Sequence, residues 1–137
     1  MFIAAELNEI IEVSNNINVY NNGVISVYGQ NDVQYGKIVA GWLALTGDVH
    51  EMPAFGVSLD KETRNAMSAG LWVEFVFDKQ YVHNEMPFEK LLVKVEKQSQ
   101  GFNVIRYNAK EGYSGRCYYF DLLGRDMANF YNILCNL

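Results

Sequence analysis

Three residue types are scarce in this chain of 137 residues: it has two cysteines, two prolines and two histidines. Cys117 and Cys135 are too few for a disulfide framework, and no second cysteine or histidine follows either at metal-motif spacing. We therefore expect both to be buried, reduced thiols. The N-terminus has no basic region, and the longest uncharged apolar stretch, residues 38–47, is too short to cross a bilayer. These absences predict a cytoplasmic protein without a leader peptide or a membrane span.

The composition is otherwise that of an ordinary folded protein, since 50% of the residues are hydrophobic and 14% are aromatic. A chain of this length buries about two thirds of the surface that its unfolded state exposes. We therefore treat residues 1–137 as a single globular domain that needs neither a disulfide nor a metal to fold.

Acidic residues are concentrated in the N-terminal part of the chain. Residues 1–60 hold seven acids and one base, Lys37, for a net charge of −6, whereas residues 61–137 have a net charge of +1. This distribution disfavours nucleic acid and anionic membranes as partners. It favours a basic partner protein, because an acidic surface attracts such a partner over distance.

Apolar residues at three- and four-residue spacing predict three amphipathic helices. They cover residues 2–13, 32–46 and 125–137. A short helix that is capped by Ser58 or Asp60 and ended by Gly70 is also expected, with Asp60 and Glu62 in its first turn.

The helix predicted over residues 32–46 has a competing interpretation. Asn31 is its expected N-cap and Gly47 its expected end. Gly36 and Gly41, however, each lower helix stability by about 1 kcal/mol relative to alanine. A long buried strand therefore stays open as the alternative.

Two patterns predict strands. Asn22-Gly23 supplies the positive φ angles of a tight turn, which predicts a hairpin between residues 17–20 and 24–28. Alternating residues predict a four-stranded antiparallel meander over residues 71–78, 91–96, 102–107 and 113–122. The predicted fold is thus α+β: an antiparallel sheet of hairpin and meander, covered on one face by helices that include the N- and C-terminal ones.

Both histidines and both prolines lie in two similar hexapeptides, His50-Glu51-Met52-Pro53-Ala54-Phe55 and His83-Asn84-Glu85-Met86-Pro87-Phe88. We predict that both lie in long loops, over residues 48–57 and 79–89. If the loops meet, they form a polar site of two imidazoles and two carboxylates, from His50, Glu51, His83 and Glu85. Such groups bind zinc, manganese or iron, or act in acid–base chemistry. Their spacing matches no metal motif, so we favour no metal and expect no cofactor.

A structural role explains the hexapeptides with fewer assumptions. The residue before proline is extended, so Met52 and Met86 would enter the loops like strand residues and tuck beneath them with the phenylalanines. The histidines and glutamates would then be solvated. We prefer this interpretation to a partner-binding surface and to an acid–base or metal site.

A basic segment, residues 90–116, has a net charge of +4 and is interleaved with aromatic residues. Platforms for single-stranded nucleic acid look like this, but ordinary alternation of charged outer and aromatic inner positions explains it as well. Within the segment, Arg106 and Arg116 lie among bulky strand residues and are candidate anion-binding groups. Pairing with an internal acid such as Glu74, or a stacked position on the surface, is the interpretation that we prefer to a ligand site.

The sequence contains no nucleophile–base constellation and no phosphate-binding glycine loop. The leading hypothesis is therefore a small non-catalytic binding protein, and an immunity- or antitoxin-like protein with a basic partner is one version of it. Self-association into a homo-oligomer is a further expectation. The alternative is a small metal-dependent or acid–base enzyme that uses His50, Glu51, His83 and Glu85.

Overall fold

The computed structural model describes residues 2–3, 5–52 and 56–137, without the side chains of Phe2, Ile3, Ala5 and His50. Within these residues the chain forms four helices and ten strands. The helices are α1 (Ala5–Ile11), α2 (Val33–Thr46), α3 (Asp60–Ala66) and α4 (Ala128–Cys135). The strands are β1 (Phe2–Ile3), β2 (Asn16–Asn21), β3 (Val24–Gly29), β4 (His50–Met52), β5 (Val57–Ser58), β6 (Leu71–His83), β7 (Met86–Val95), β8 (Gly101–Tyr107), β9 (Gly115–Arg116) and β10 (Tyr118–Asp121). No described helix has both the length and the apolar character needed to cross a membrane.

Eight of the described strands form one antiparallel sheet in the order β1-β4-β10-β8-β7-β6-β2-β3. Strands β2 and β3 are the predicted N-terminal hairpin, whose turn residues Asn22 and Gly23 have φ angles of 49° and 84°. Strands β6, β7, β8 and β10 are the predicted meander. Strands β5 and β9 pair separately. The predicted fold class is confirmed.

Helices α1, α2 and α4 cover one face of the sheet, here called the inner face. Alternate residues of β6, such as Phe75, are buried there against the helices. Trp42 of α2 is the centre of this core, because its ring lies 5.2 Å from that of Phe75 and 5.9 Å from that of Phe130 in α4. The apolar stripes of the three helices therefore share one core with the sheet.

Helix α3 lies on the opposite, outer face of the sheet, together with residues 108–116. Met67, directly after α3, packs there against Trp72, Leu92 and Tyr113 in a second, smaller core. The outer face is therefore partly covered as well.

Helix α2 settles the competing interpretations of residues 32–46 in favour of the helix. A Cβ added at Gly41 would lie 2.8 Å from Cδ1 of Ile133, so the missing side chain permits close packing against α4. The predicted N-cap at Asn31 is wrong, because Asp32 directly precedes the first helical residue. The Asp32 carboxylate instead accepts the Gly29 N–H at 2.8 Å.

Some boundaries also differ from the predictions. Helix α1 is shorter than residues 2–13, because Phe2–Ile3 pairs with β4, and helical periodicity does not report such long-range pairing. The fourth meander strand is β10 alone, since the chain before it leaves the sheet to cover the outer face. Cys117 is buried as predicted, but Cys135 is exposed in the last turn of α4.

Candidate functional site

The described residues of the two hexapeptides lie mostly in strands, where the sequence predicted long loops. His50–Met52 is β4, which lies between β1 and β10, and residues 53–55 lie outside the described residues. In the second hexapeptide only Asn84 and Glu85 form the turn, with φ angles of 50° and 64°. Positive φ at both central residues is the geometry that fits a two-residue turn to the twist of its strands. The predicted eleven-residue connection is therefore a tight hairpin.

Three side chains of the hexapeptides meet in a buried cluster, the Glu51 cluster. Oε1 of Glu51 lies 2.7 Å from Nε2 of His83, and Oε2 accepts a hydrogen bond of 2.6 Å from Nδ2 of Asn84. The side chains of Glu51 and His83 are 3% and 6% exposed, so the prediction that they are solvated is wrong. Glu85 is exposed in the turn, and the His50 side chain lies outside the described residues.

Curvature of the sheet explains how Glu51 reaches His83. Three strands, β10, β8 and β7, lie between β4 and β6. In a flat sheet, four steps of about 4.8 Å would separate β4 and β6 by roughly 19 Å. The pairing of β6 with β7 shifts register between Val76 and Tyr81, and such bulges bend and twist strands. The tip of the β6–β7 hairpin therefore bends toward β4.

Tyr118 of β10 holds His83 from a second side. Its hydroxyl donates a hydrogen bond of 2.8 Å to the His83 carbonyl oxygen, and the two rings meet edge to face at 5.2 Å. Burial raises the pKa of Tyr118, so it remains a protonated donor at neutral pH. The strand pattern does not distinguish Tyr118 from an ordinary core aromatic, and sequence reasoning therefore missed it.

The Glu51 cluster is closed to solvent and internally satisfied. The carboxylate receives one hydrogen bond on each oxygen, and its imidazole partner is buried against an aromatic ring. Among the described residues, no three histidine, cysteine, aspartate or glutamate side chains lie together as metal ligands would. Removing one partner of a buried pair leaves the other uncompensated. This geometry is suited to fastening β4 to the β6–β7 hairpin tip.

The two candidate arginines lie side by side but differ in exposure. Arg106 is 8% exposed; its Nε donates to the Arg116 carbonyl oxygen at 2.7 Å and its Nη1 to that of Pro87 at 2.8 Å. The Arg116 side chain is exposed. Pairing of Arg106 with Glu74 is therefore wrong, because backbone carbonyls bind Arg106, whereas the exposed Arg116 is compatible with the predicted surface position. Anion binding by either arginine stays a prediction.

Glu74 is the centre of a second buried cluster, on the outer face. Its Oε1 accepts hydrogen bonds from Asn18 at 3.0 Å and from the Tyr20 hydroxyl at 2.8 Å, and its Oε2 accepts one from the Tyr113 hydroxyl. Burial, followed by the charge of Glu74, raises the pKa of both tyrosines. Three neutral donors thus satisfy a carboxylate that is fully buried.

An open pocket of about 390 Å³ adjoins the Glu74 cluster. Its lining includes both tyrosines of the cluster and the cations Arg64 and Lys90. Arg64 binds Asp60 at 2.9 Å and lies over the Tyr113 ring, and Lys90 lies 4.5 Å from the centre of the Tyr107 ring. Both cations therefore already contact internal groups.

Helix α1 and the turn that follows it carry a third polar feature, the acidic surface of Glu6, Glu9 and Glu12. All three residues are exposed, whereas Leu7 and Ile11 on the other side of α1 are fully buried. Among the described residues, no cation lies within ion-pair distance of these three carboxylates. The ion pairs of the described residues all involve other acids. This surface therefore keeps its charge in the folded protein.

Other acids of the N-terminal part contact partners within the protein. Asp48 binds Arg125 at 2.8 Å, and Glu51 is buried against His83. Asp60 binds Arg64 in the pair described above. Among the described acids of residues 1–60, only those of the acidic surface and Asp32 are both exposed and without an ion pair.

Side-chain hydrogen bonds hold α1 in place beneath the acidic surface. Asn8 donates to the Thr46 hydroxyl at 3.0 Å and accepts the Trp42 indole N–H at 2.8 Å, which joins α1 to α2. Beyond the helix, the Tyr35 hydroxyl donates to the Ser14 carbonyl oxygen at 2.6 Å. These hydrogen bonds therefore fix the backbone that carries the three glutamates.

Comparison of the chain with protein-family models, with curated proteins and with solved structures gives no match. The function is therefore inferred from the chain's own geometry. The Glu51 and Glu74 clusters are closed by internal partners, whereas the acidic surface faces solvent.

Proposed function

We propose that this is a non-catalytic binding protein that docks a basic partner protein on its acidic surface. The observation that carries the proposal is that Glu6, Glu9 and Glu12 are exposed together without a cation among the described residues. An immunity- or antitoxin-like role, in which the acidic surface covers a basic region of its target, is one version of this function.

Electrostatics supports docking at this place. Residues three apart on a helix are separated by about 4.5 Å along its axis, which is less than the Debye length of about 8 Å at physiological ionic strength. The three charges therefore act together on an approaching partner. Such fields raise association rates and suppress partners of the same charge more than they raise affinity.

Preorganisation supports it as well. The hydrogen bonds of Asn8 and Ser14 fix the backbone beneath the three glutamates, so binding does not have to order that segment. Within the part of the chain that the structure describes, the glutamate side chains form no ion pair. Their replacement by glutamine should therefore change binding without changing the fold.

The test compares three forms of the full chain. The first is the wild type, and the second is the α1 variant, Glu6→Gln, Glu9→Gln, Glu12→Gln. The third is the control variant, Glu62→Gln, Glu85→Gln, Glu111→Gln. The control removes three exposed acids that also have no ion pair within the described residues, and the two variants have equal net charge. Unfolding curves first establish that all three are equally stable.

Each form is cross-linked in lysate of the native cell, and captured proteins are quantified by mass spectrometry and then purified for direct binding. We expect a basic protein that binds wild type and control variant alike, with a dissociation constant at least about tenfold higher for the α1 variant. A purified partner that binds all three forms equally would overturn the proposal. Capture of no protein by the wild type would overturn it too.

A further inference from the structure

Strand β3 forms one edge of the sheet, and no described segment pairs with its outer side. Its Val24, Ile25 and Val27 side chains are 69%, 50% and 59% exposed. Natural sheets protect such edges with charged residues, prolines or bulges. Strand β3 has no charged residue or proline, and it pairs with β2 over six consecutive residues without a bulge.

The backbone register shows which groups of β3 are open. Asn21 and Val24 flank the two-residue turn and so form a hydrogen-bonded pair, and such pairs alternate with non-hydrogen-bonded ones along the hairpin. Ile25, Val27 and Gly29 therefore direct their N–H and C=O groups away from β2. Asp32 already satisfies both outward groups of Gly29: its carboxylate accepts the Gly29 N–H at 2.8 Å, and its own N–H donates to the Gly29 carbonyl at 3.0 Å.

We propose that a second copy of this chain pairs with β3 in antiparallel orientation, about a two-fold axis that passes beside Ser26. In this register Ile25 of each copy forms a hydrogen-bonded pair with Val27 of the other. The four backbone groups left open on each edge are then all satisfied. The two eight-stranded sheets join into one.

The side chains fit the same register. Residues directly opposite in an antiparallel pair lie on the same side of the sheet. Ile25 meets Val27 of the second copy on the outer face, and Val24 meets Tyr28 of the second copy on the inner face. Every contact is between apolar residues or, at the axis, between two serines. Each chain has a net charge of −5, but residues 24–29 contain no charged side chain, so no like charges face each other across the paired strands.

Self-complementarity is the reason to prefer a second copy over a strand of another protein. About the two-fold axis, each open N–H and C=O group of one β3 strand lies opposite a complementary open group of β3 in the second copy. A contact between two short strands falls in the class below about 1,200 Å², which is typical of reversible complexes. We therefore expect a dimer that dissociates on dilution.

A cross-linking experiment tests the register directly in the full chain carrying Cys135→Ser, which removes the exposed native thiol. Ser26→Cys places two thiols at the axis, where Cα atoms of a non-hydrogen-bonded pair lie about 4.5 Å apart, within reach of a disulfide. Val24→Cys is the matched control. Its two copies are offset by four residues, about 13 Å, which is too far.

Mild oxidation at concentrations where sedimentation velocity shows dimer should link Ser26→Cys and leave Val24→Cys unlinked. Val27→Lys, which puts a charge between the two paired β3 strands, should raise the dimer dissociation constant at least about tenfold. Val82→Lys, at an equally exposed strand valine away from β3, should not change it. A wild type that stays monomeric at every concentration, equal linking of both cysteines, or equal effects of both lysines would overturn the proposal.

Discussion

Replacing Glu51 by leucine should destabilise the protein strongly, because the change removes the acceptor of two buried donors. His83 loses the partner of its Nε2, at 2.7 Å, and Asn84 loses the partner of its Nδ2, at 2.6 Å. Among the described residues, neither donor atom has a second acceptor. The strand that carries Glu51 has only three residues, so the sheet alone holds it weakly.

The magnitude follows from the burial of the pair. Leaving a buried donor without its acceptor costs about 1–3 kcal/mol, and Glu51→Leu leaves two such donors. Glu51→Leu should therefore lower the free energy of unfolding by about 3–5 kcal/mol. Glu51→Gln keeps one acceptor oxygen and should cost about 2 kcal/mol. The double variant Glu51→Leu, His83→Leu should be more stable than the sum of the single losses by about 1–3 kcal/mol.

Urea unfolding followed by tryptophan fluorescence and circular dichroism measures these differences. Glu85→Gln is the control, because Glu85 belongs to the same hexapeptide but is exposed, and it should change stability by less than about 0.5 kcal/mol. If Glu51→Leu costs no more than this control, the Glu51 cluster does not fasten β4 to the hairpin tip.

Three further predictions follow from the same structure. Gly36→Ala should stabilise the protein by about 1 kcal/mol, because a Cβ at that position meets nothing within 4 Å. Gly41→Ala should destabilise it, because the added Cβ would crowd Ile133. Equal effects of the two variants in urea unfolding would contradict this. The pKa of Tyr113 is raised in the folded protein. Its contribution to the free energy of unfolding is therefore complete below about pH 10, the ordinary tyrosine pKa, and is lost as pH rises further. Unfolding free energies should therefore fall as pH rises from about pH 10 to pH 12, and less steeply for Tyr113→Phe; equal slopes would refute this. Zinc or a chelator should leave the thermal midpoint unchanged, since the described residues hold no cluster of metal ligands, and a shift of several degrees would show otherwise.

Features encoded within a few residues could be predicted from the sequence. Asn22-Gly23 specifies its turn because both residues tolerate positive φ, and the spacing of Ile38, Trp42 and Leu45 specifies the buried side of α2. The hairpin turn at Asn84 and Glu85 was missed, because glutamate rarely adopts positive φ and gives no local signal.

Features that depend on tertiary placement could not be predicted. Strand β1 forms only because β4 offers an edge to it, many residues away in the sequence. The hexapeptides placed Glu51 and His83 in one candidate set with His50 and Glu85, but the burial of Glu51 and His83 requires the bend of β6 and β7. The hydrogen bonds from Tyr20 and Tyr113 to Glu74 could not be predicted, because the two tyrosines lie in segments far from Glu74 in the sequence.

The most direct test of the proposed function is the association rate constant of the purified partner as a function of ionic strength. Long-range attraction to the acidic surface predicts that the rate for wild type falls steeply with salt. The α1 variant should associate about tenfold more slowly at low salt, lose most of the salt dependence and dissociate at a nearly unchanged rate, while the control variant follows the wild type. Equal association rates and equal salt dependence for wild type and α1 variant would contradict docking on Glu6, Glu9 and Glu12.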